Sequence, residues 1–116
     1  LPKGWAWALA PFLSARCFMK LQHYEINAGV ALCRATHGAF LVDVRTPGEF
    51  HSGHIPGSVN LPLEHLETAP LPGGPLFVYC RSGQRSRTAC RVLASRGVEA
   101  ADLGGLLAYR GKLCRD

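Results

Sequence analysis

From Gln22 onward the apolar and polar positions switch repeatedly between two periods, and the switches mark the elements. Gln22 to Ile26 fits a short strand, and Asn27 stands where a cap would open a helix running through Thr36. Ala28, Val30, Ala31, Leu32 and Ala35 give that helix an apolar side, and Gly38 stops it. Phe40 to Val44 is a β-branched, apolar run of the buried-strand type, with Asp43 where its carboxyl end begins. Thr46 to Phe50 reads as a capped helical turn with Pro47 at its first position. His54 to Gly57 is a turn, Ser58 to Leu61 a short strand, Leu63 to Thr68 a short helix and Pro70 to Gly74 a loop. Leu76 to Cys80 is the next buried strand, and Ser86 to Arg96 a helix ended by Gly97. Val98 to Leu103 is a last strand, and a final helix is expected from Leu106. Strands alternating with helices argue an α/β fold, a parallel sheet covered on both faces.

At 116 residues, 47% of them hydrophobic and 18% charged, the chain has the makeup of one globular domain with a core of its own. Residues 1–20 are set apart. Trp5 to Leu13 is apolar but too short to span a bilayer and is broken by Pro11. The expectation is an N-terminal extension at 1–20, whether targeting, vector-derived or upstream, and a folded domain at 21–116. The location expected is cytoplasmic, or periplasmic or membrane-proximal if residues 1–20 are a targeting segment. The cysteines (Cys17, Cys33, Cys80, Cys90, Cys114) are odd in number and form no C-x-x-C pair. Neither a disulfide framework nor a zinc site is suggested, which suits a reducing compartment.

The net charge of +5 matters less than its distribution. Arg81, Arg85, Arg87, Arg91 and Arg96 crowd one stretch without interleaved aromatics, which argues a small bound anion and no nucleic acid. Cys80 ends a strand at the carboxyl edge of the sheet, where chemistry collects in such folds. Only Arg81, Ser82, Gly83, Gln84 and Arg85 separate it from the expected helix. A short glycine-containing turn onto a helix N-terminus can aim several backbone N–H groups at one point. A thiol in that field, beside Arg81 and Arg85, should lose its proton readily. The alternative, an inert buried cysteine, fits Cys33 and Cys90 better than Cys80.

Three stretches now carry a likeness: FLVDVRTPGEFHSGHIPGSVNLPL (Phe40 to Leu63), FVYCRSGQRS (Phe77 to Ser86) and DLGGLLAYRG (Asp102 to Gly111). Together, from about Tyr24 to Leu113, the chain resembles a single-domain rhodanese, a sulfurtransferase. The resemblance implies a rhodanese-like fold, a central mostly parallel sheet with helices on both faces, and a thiosulfate sulfurtransferase activity without cofactor or metal. Cys80 would carry the sulfane sulfur as a persulfide, and the loop Arg81, Ser82, Gly83, Gln84, Arg85, Ser86 would hold it by its amides. The donor would be thiosulfate or a protein persulfide; the acceptor would be cyanide, a small thiol or a thioredoxin-like protein. Tyr109 stands where a tryptophan is frequent. Asp43 is expected to steady a loop arginine and Arg45 to position an anionic donor; the plainer alternative is an Arg45–Glu49 ion pair. His51 and His54 read as turn residues without a metal. Arsenate reductases and dual-specificity phosphatases use a similar cradle. The phosphatase loop is one residue longer, however, and usually has His where this chain has Tyr79. A non-catalytic binding module is the remaining alternative, and it would not require the cysteine or the cradle.

Overall fold

The computed structural model describes residues 22–115, so the expectations for residues 1–20, and for Cys17, lie outside the described residues. In chain order the elements are α1 (Ile26–Ala35), β1 (Phe40–Asp43), α2 (Pro47–Ser52), β2 (Val59–Asn60), a 3-10 turn at Leu63–His65, β3 (Leu76–Cys80), α3 (Gln84–Ser95), β4 (Ala100–Gly105) and a 3-10 turn at Leu106–Ala108. The strands form one sheet in the order β2-β1-β3-β4, every pair parallel.

The apolar runs are continuous because both faces of the sheet are covered. Successive side chains of a strand point to opposite faces. On one face Leu41, Phe77, Tyr79, Ala101 and Leu103 pack under Ile26, Val30 and Cys33 of α1. On the other, Val42, Leu76, Val78, Cys80 and Ala100 pack under Ala89 and Leu93 of α3. Cys80 therefore lies on the α3 face. Helix α2 buries none of its residues and lies after the carboxyl end of β1, held by a capping box in which Thr46 and Glu49 satisfy each other's amides.

Several boundaries differ from the sequence expectation. The Gln22–Ile26 strand reduces to a single parallel bridge, His23 to Asp102. The cap of α1 is Glu25, whose carboxylate accepts from Ala28 N at 3.1 Å. Asn27 sits inside the helix and ties down the far end of the chain instead, donating to Ala108 O at 2.9 Å and accepting from Arg110 N at 2.9 Å. The expected final helix is one 3-10 turn, and the Leu63–Thr68 helix is likewise a single turn. Helix α3 starts two residues early, at Gln84, because Gly83 adopts φ +108° and turns the chain into the helix at once.

Tyr79 shows how β3 holds the loop beyond α2. Ile55 N donates to its phenol oxygen at 3.1 Å, and Ser58 Oγ, which donates to Ile55 O at 2.7 Å, lies 3.0 Å from it. Because the serine hydrogen is committed to Ile55 O, the phenol donates to Ser58. Burial raises the phenol above its ordinary range, so it remains a donor. Tyr79→Phe removes the acceptor of the buried Ile55 amide and the hydrogen bond to Ser58 Oγ, and stability to urea should fall by about 1–3 kcal/mol. An unchanged midpoint would show that the phenol bridge does not brace this loop.

Candidate functional site

Cys80 is the last residue of β3 and has no exposed surface. Its Sγ accepts N–H from Gly83 at 3.0 Å and from Ser86 at 3.3 Å. The non-helical part of the loop is only Arg81, Ser82 and Gly83, because Gln84, Arg85 and Ser86 already belong to α3. Their amides fall in the first helical turn, which has no carbonyl of its own to pair with them. The sulfur thus faces backbone dipoles at the positive end of a helix.

β4 fixes this turn from beneath. A Cβ on Gly105 would meet Arg81 O at 2.5 Å and Ser82 Cα at 2.8 Å, so the two backbones touch as only glycine permits. Leu107 N donates to Arg81 O at 3.2 Å. Ser86, fully buried, places its Oγ 2.7 Å from Asp102 Oδ1 and 3.1 Å from Gly83 O, while Gly104 N donates to the same Asp102 oxygen at 3.0 Å. Asp102 escapes the sequence reading. Its one signal is an acid set among the apolar residues Ala100, Ala101 and Leu103.

The charged groups pair differently from expectation. Arg85 is clamped by Glu49 of α2, with Nη1 to Oε1 at 2.6 Å and Nη2 to Oε2 at 3.0 Å. Asp43 does not reach a loop arginine. Its fully buried carboxylate is taken by Arg45, which donates Nε at 3.0 Å to both oxygens and Nη2 at 2.6 Å to Oδ2. Arg45 is itself 5% exposed and gives Nη2 to Gly53 O at 2.7 Å, so it is not a free cation facing a donor. The alternative Arg45–Glu49 pair does not form either, because Glu49 is spent on Arg85. Both residues brace the loop after β1, and Asn60 joins them through the backbone oxygens of Asp43 and Arg45.

Arg81, Ser82 and Gln84 are exposed at the rim of the turn, as are Arg87 and Arg91 along α3. Arg96 turns away and donates to Leu66 O and Ala69 O, both at 2.8 Å. Beside the turn, toward β4, a cleft of about 280 Å³ is lined by Ser82, Gly83, Arg87, His23 and Asp102 among others. Cys90 packs on the side of α3 against the core, and burial pushes its thiol up to about 12, with the charges of Asp102 and Cys80 adding to the effect. It is poorly suited to act as a resolving thiolate. Among the described residues no group of three or more His, Cys, Asp or Glu is placed to hold a metal ion, and no helix is long and apolar enough to cross a membrane.

The sequence pattern of the rhodanese-like domain matches residues 29–112, well over half the chain. The chain belongs to the rhodanese-like domain family. It is similar to an uncharacterized protein of Synechocystis, 42% identical over 82 residues that make up 66% of this chain and 46% of that protein. It is also similar to a sulfurtransferase of Allochromatium vinosum, 39% identical over 80 residues, 64% of this chain and 74% of that one. The chain thus spans about half the length of the first of these relatives. Among solved structures, a rhodanese homolog of Thermus thermophilus superposes with a TM-score of 0.63 at 32% identity, covering 76% of this chain and 100% of that one.

In this rhodanese-like domain the Arg85 clamp holds the Glu49 carboxyl down at about 2, assisted by Thr46 and opposed by partial burial. Above an unfolded value of 4.5 the carboxylate is ionised in both states, and the pair contributes fully. That contribution is lost as pH falls from 4.5 toward about 2, where the folded form also takes up its proton. Denaturation of the protein and of Glu49→Gln across this range should therefore show a stability gap that closes on acidification. A gap independent of pH would mean that the clamp is not formed in solution.

Proposed function

We propose that this rhodanese-like domain is a sulfurtransferase that carries sulfane sulfur as a persulfide on Cys80. The observation that carries the reading is the pair of backbone N–H bonds from Gly83 and Ser86 to Cys80 Sγ at the mouth of α3. Amide hydrogens converging on one point at a helix start form a cradle suited to hold an anionic sulfur. The sulfurtransferase names among the relatives support the same direction.

In the proposed first half-reaction the Cys80 thiolate attacks the outer sulfur of thiosulfate or of a persulfide donor. A new S–S bond forms to Cys80. The old one breaks, and sulfite or the donor thiolate leaves with the electron pair. The first-turn amides of Gln84 and Arg85, for which a helix start has no carbonyl of its own, would receive the outer sulfur. Exposed Arg81 attracts the anionic donor, whereas Arg85, neutralised by Glu49, chiefly holds the turn to α2. In the second half-reaction an acceptor, cyanide or a small or protein thiolate, attacks the outer sulfur and Cys80 leaves as thiolate. The cycle is a double displacement and should show ping-pong kinetics. Asp102 is a positioning residue in this scheme. Through the Ser86 hydroxyl it fixes the amide that faces the sulfur.

Intact-mass measurement after thiosulfate should show one added sulfur atom, lost on treatment with cyanide. Cys80→Ser should reduce thiosulfate turnover about 1000-fold or more, as loss of a covalent nucleophile does. Cys90→Ala should keep most of it, with hydrolysis of p-nitrophenyl phosphate negligible in both proteins. Thiosulfate turnover retained by the Cys80→Ser protein, or phosphatase turnover exceeding thiosulfate turnover, would overturn the proposal.

A further inference from the structure

Away from the Cys80 turn, a second thiol is paired with a base. Cys114 and His54 face each other across an isolated antiparallel bridge, with His54 N donating to Cys114 O at 2.9 Å and Cys114 N to His54 O at 2.8 Å. Both backbones are thereby fixed. The side chains meet within that frame, Cys114 Sγ lying 3.2 Å from His54 Nε2. The other ring nitrogen, Nδ1, lies 2.8 Å from the carbonyl oxygen of Phe50, which can only accept. Nδ1 therefore carries the proton, and in the neutral ring Nε2 turns its lone pair toward the sulfur. The ring is also stacked on Phe50 at 3.7 Å between centroids and is 3% exposed, so it cannot swing away.

Cys114 is half-buried, flanked by exposed Lys112, Leu113 and Arg115. Among the described thiols outside the loop, Cys33 and Cys90 have no such histidine contact and pack against the two cores. A half-buried thiol held against a fixed imidazole acceptor, with exposed Lys112 and Arg115 beside it in the chain, is suited to exchange with a carboxylate-bearing disulfide.

We propose that Cys114 and His54 form a second reactive site, independent of Cys80, which exchanges with small carboxylate-bearing disulfides to give a mixed disulfide. His54 Nε2 takes the thiol proton, and the Cys114 thiolate attacks one sulfur of the disulfide. The S–S bond of the reagent breaks, and its second half leaves as a thiolate that recovers the proton from the imidazolium. Cys114 is oxidised to the mixed disulfide while the reagent is reduced to one equivalent of thiol.

The test is to expose the full chain carrying Cys80→Ser to oxidised glutathione and to follow each cysteine by peptide mapping. The adduct at Cys114 should form about tenfold or more faster than at Cys90 or Cys33, and His54→Gln should slow it by a similar factor. Circular dichroism checks the fold of the histidine variant, and if that variant does not fold, the ranking of the cysteines decides by itself. Modification of Cys114 no faster than of Cys90 or Cys33, or a rate unchanged in folded His54→Gln, would overturn the assignment. Because Cys80 is absent from the test protein, the outcome is independent of the sulfur-transfer proposal.

Discussion

Cys80 Sγ can receive amide hydrogens from both Gly83 and Ser86 only because the chain passes from β3 to α3 in three residues. That brevity requires Gly83 in the left-handed region, where a side chain would strain the backbone. It also requires β4 to end in a residue with no side chain, since the carbonyl of Arg81 lies where any Cβ of Gly105 would have to be. The turn is compact because strand and loop are pressed together. Ser86 and Asp102 then lock the first turn of α3 to β4, so the sulfur, the helix start and the last strand form one unit.

Two ion pairs with different duties brace the loops at the carboxyl end of the sheet, Asp43 with Arg45 within the loop after β1 and Glu49 with Arg85 between α2 and α3. Asp43 and Arg45 are shielded from water and bonded at several points, so breaking the pair would strand a buried charge. Glu49 and Arg85 are about one-third exposed, so their mutual attraction is screened, and the pair serves more to hold α2 against the loop than to stabilise the fold. Their bidentate geometry also fixes the direction of the arginine side chain.

The strands and the turn at Cys80 are legible in sequence because they depend on local facts. A run buried on both faces must be apolar throughout, and a cysteine before a glycine-containing loop at a strand end needs no distant partner to be noticed. Pairings across the chain are not legible in that way. Spacing favours Arg45 with Glu49, four residues apart, but Glu49 reaches Arg85, thirty-six residues on, once the fold brings α2 over the loop. Asn27 looks like a cap, yet a glutamate two residues earlier does that work and frees the amide side chain to hold residues near the C-terminus. Asp102 reads as an interruption of its strand until Ser86 is seen beside it. The Cys114–His54 contact joins residues sixty positions apart, beyond the reach of any motif.

The distribution of charge around the turn bears on how it could handle anions of different size. Arg85 is largely neutralised by Glu49, and Arg45 by Asp43, so neither offers a free positive charge to a ligand. What remains at the sulfur is a set of backbone N–H dipoles, fixed by the fold and unable to relax away. The exposed cations, Arg81 in the turn and Arg87 and Arg91 along α3, lie outside the cradle. Fixed dipoles stabilise a thiolate and a persulfide anion alike, because both place one negative sulfur near the same amides. Under the proposed function, a rim of exposed cations would attract an anionic donor at longer range without binding the departing anion tightly, since solvent screens it. Strong, unpaired arginines in the cradle would instead hold a multiply charged oxyanion in place. Pairing both arginines with carboxylates is therefore consistent with the proposed sulfur transfer, in which a sulfur atom is loaded and the anion that carried it is released.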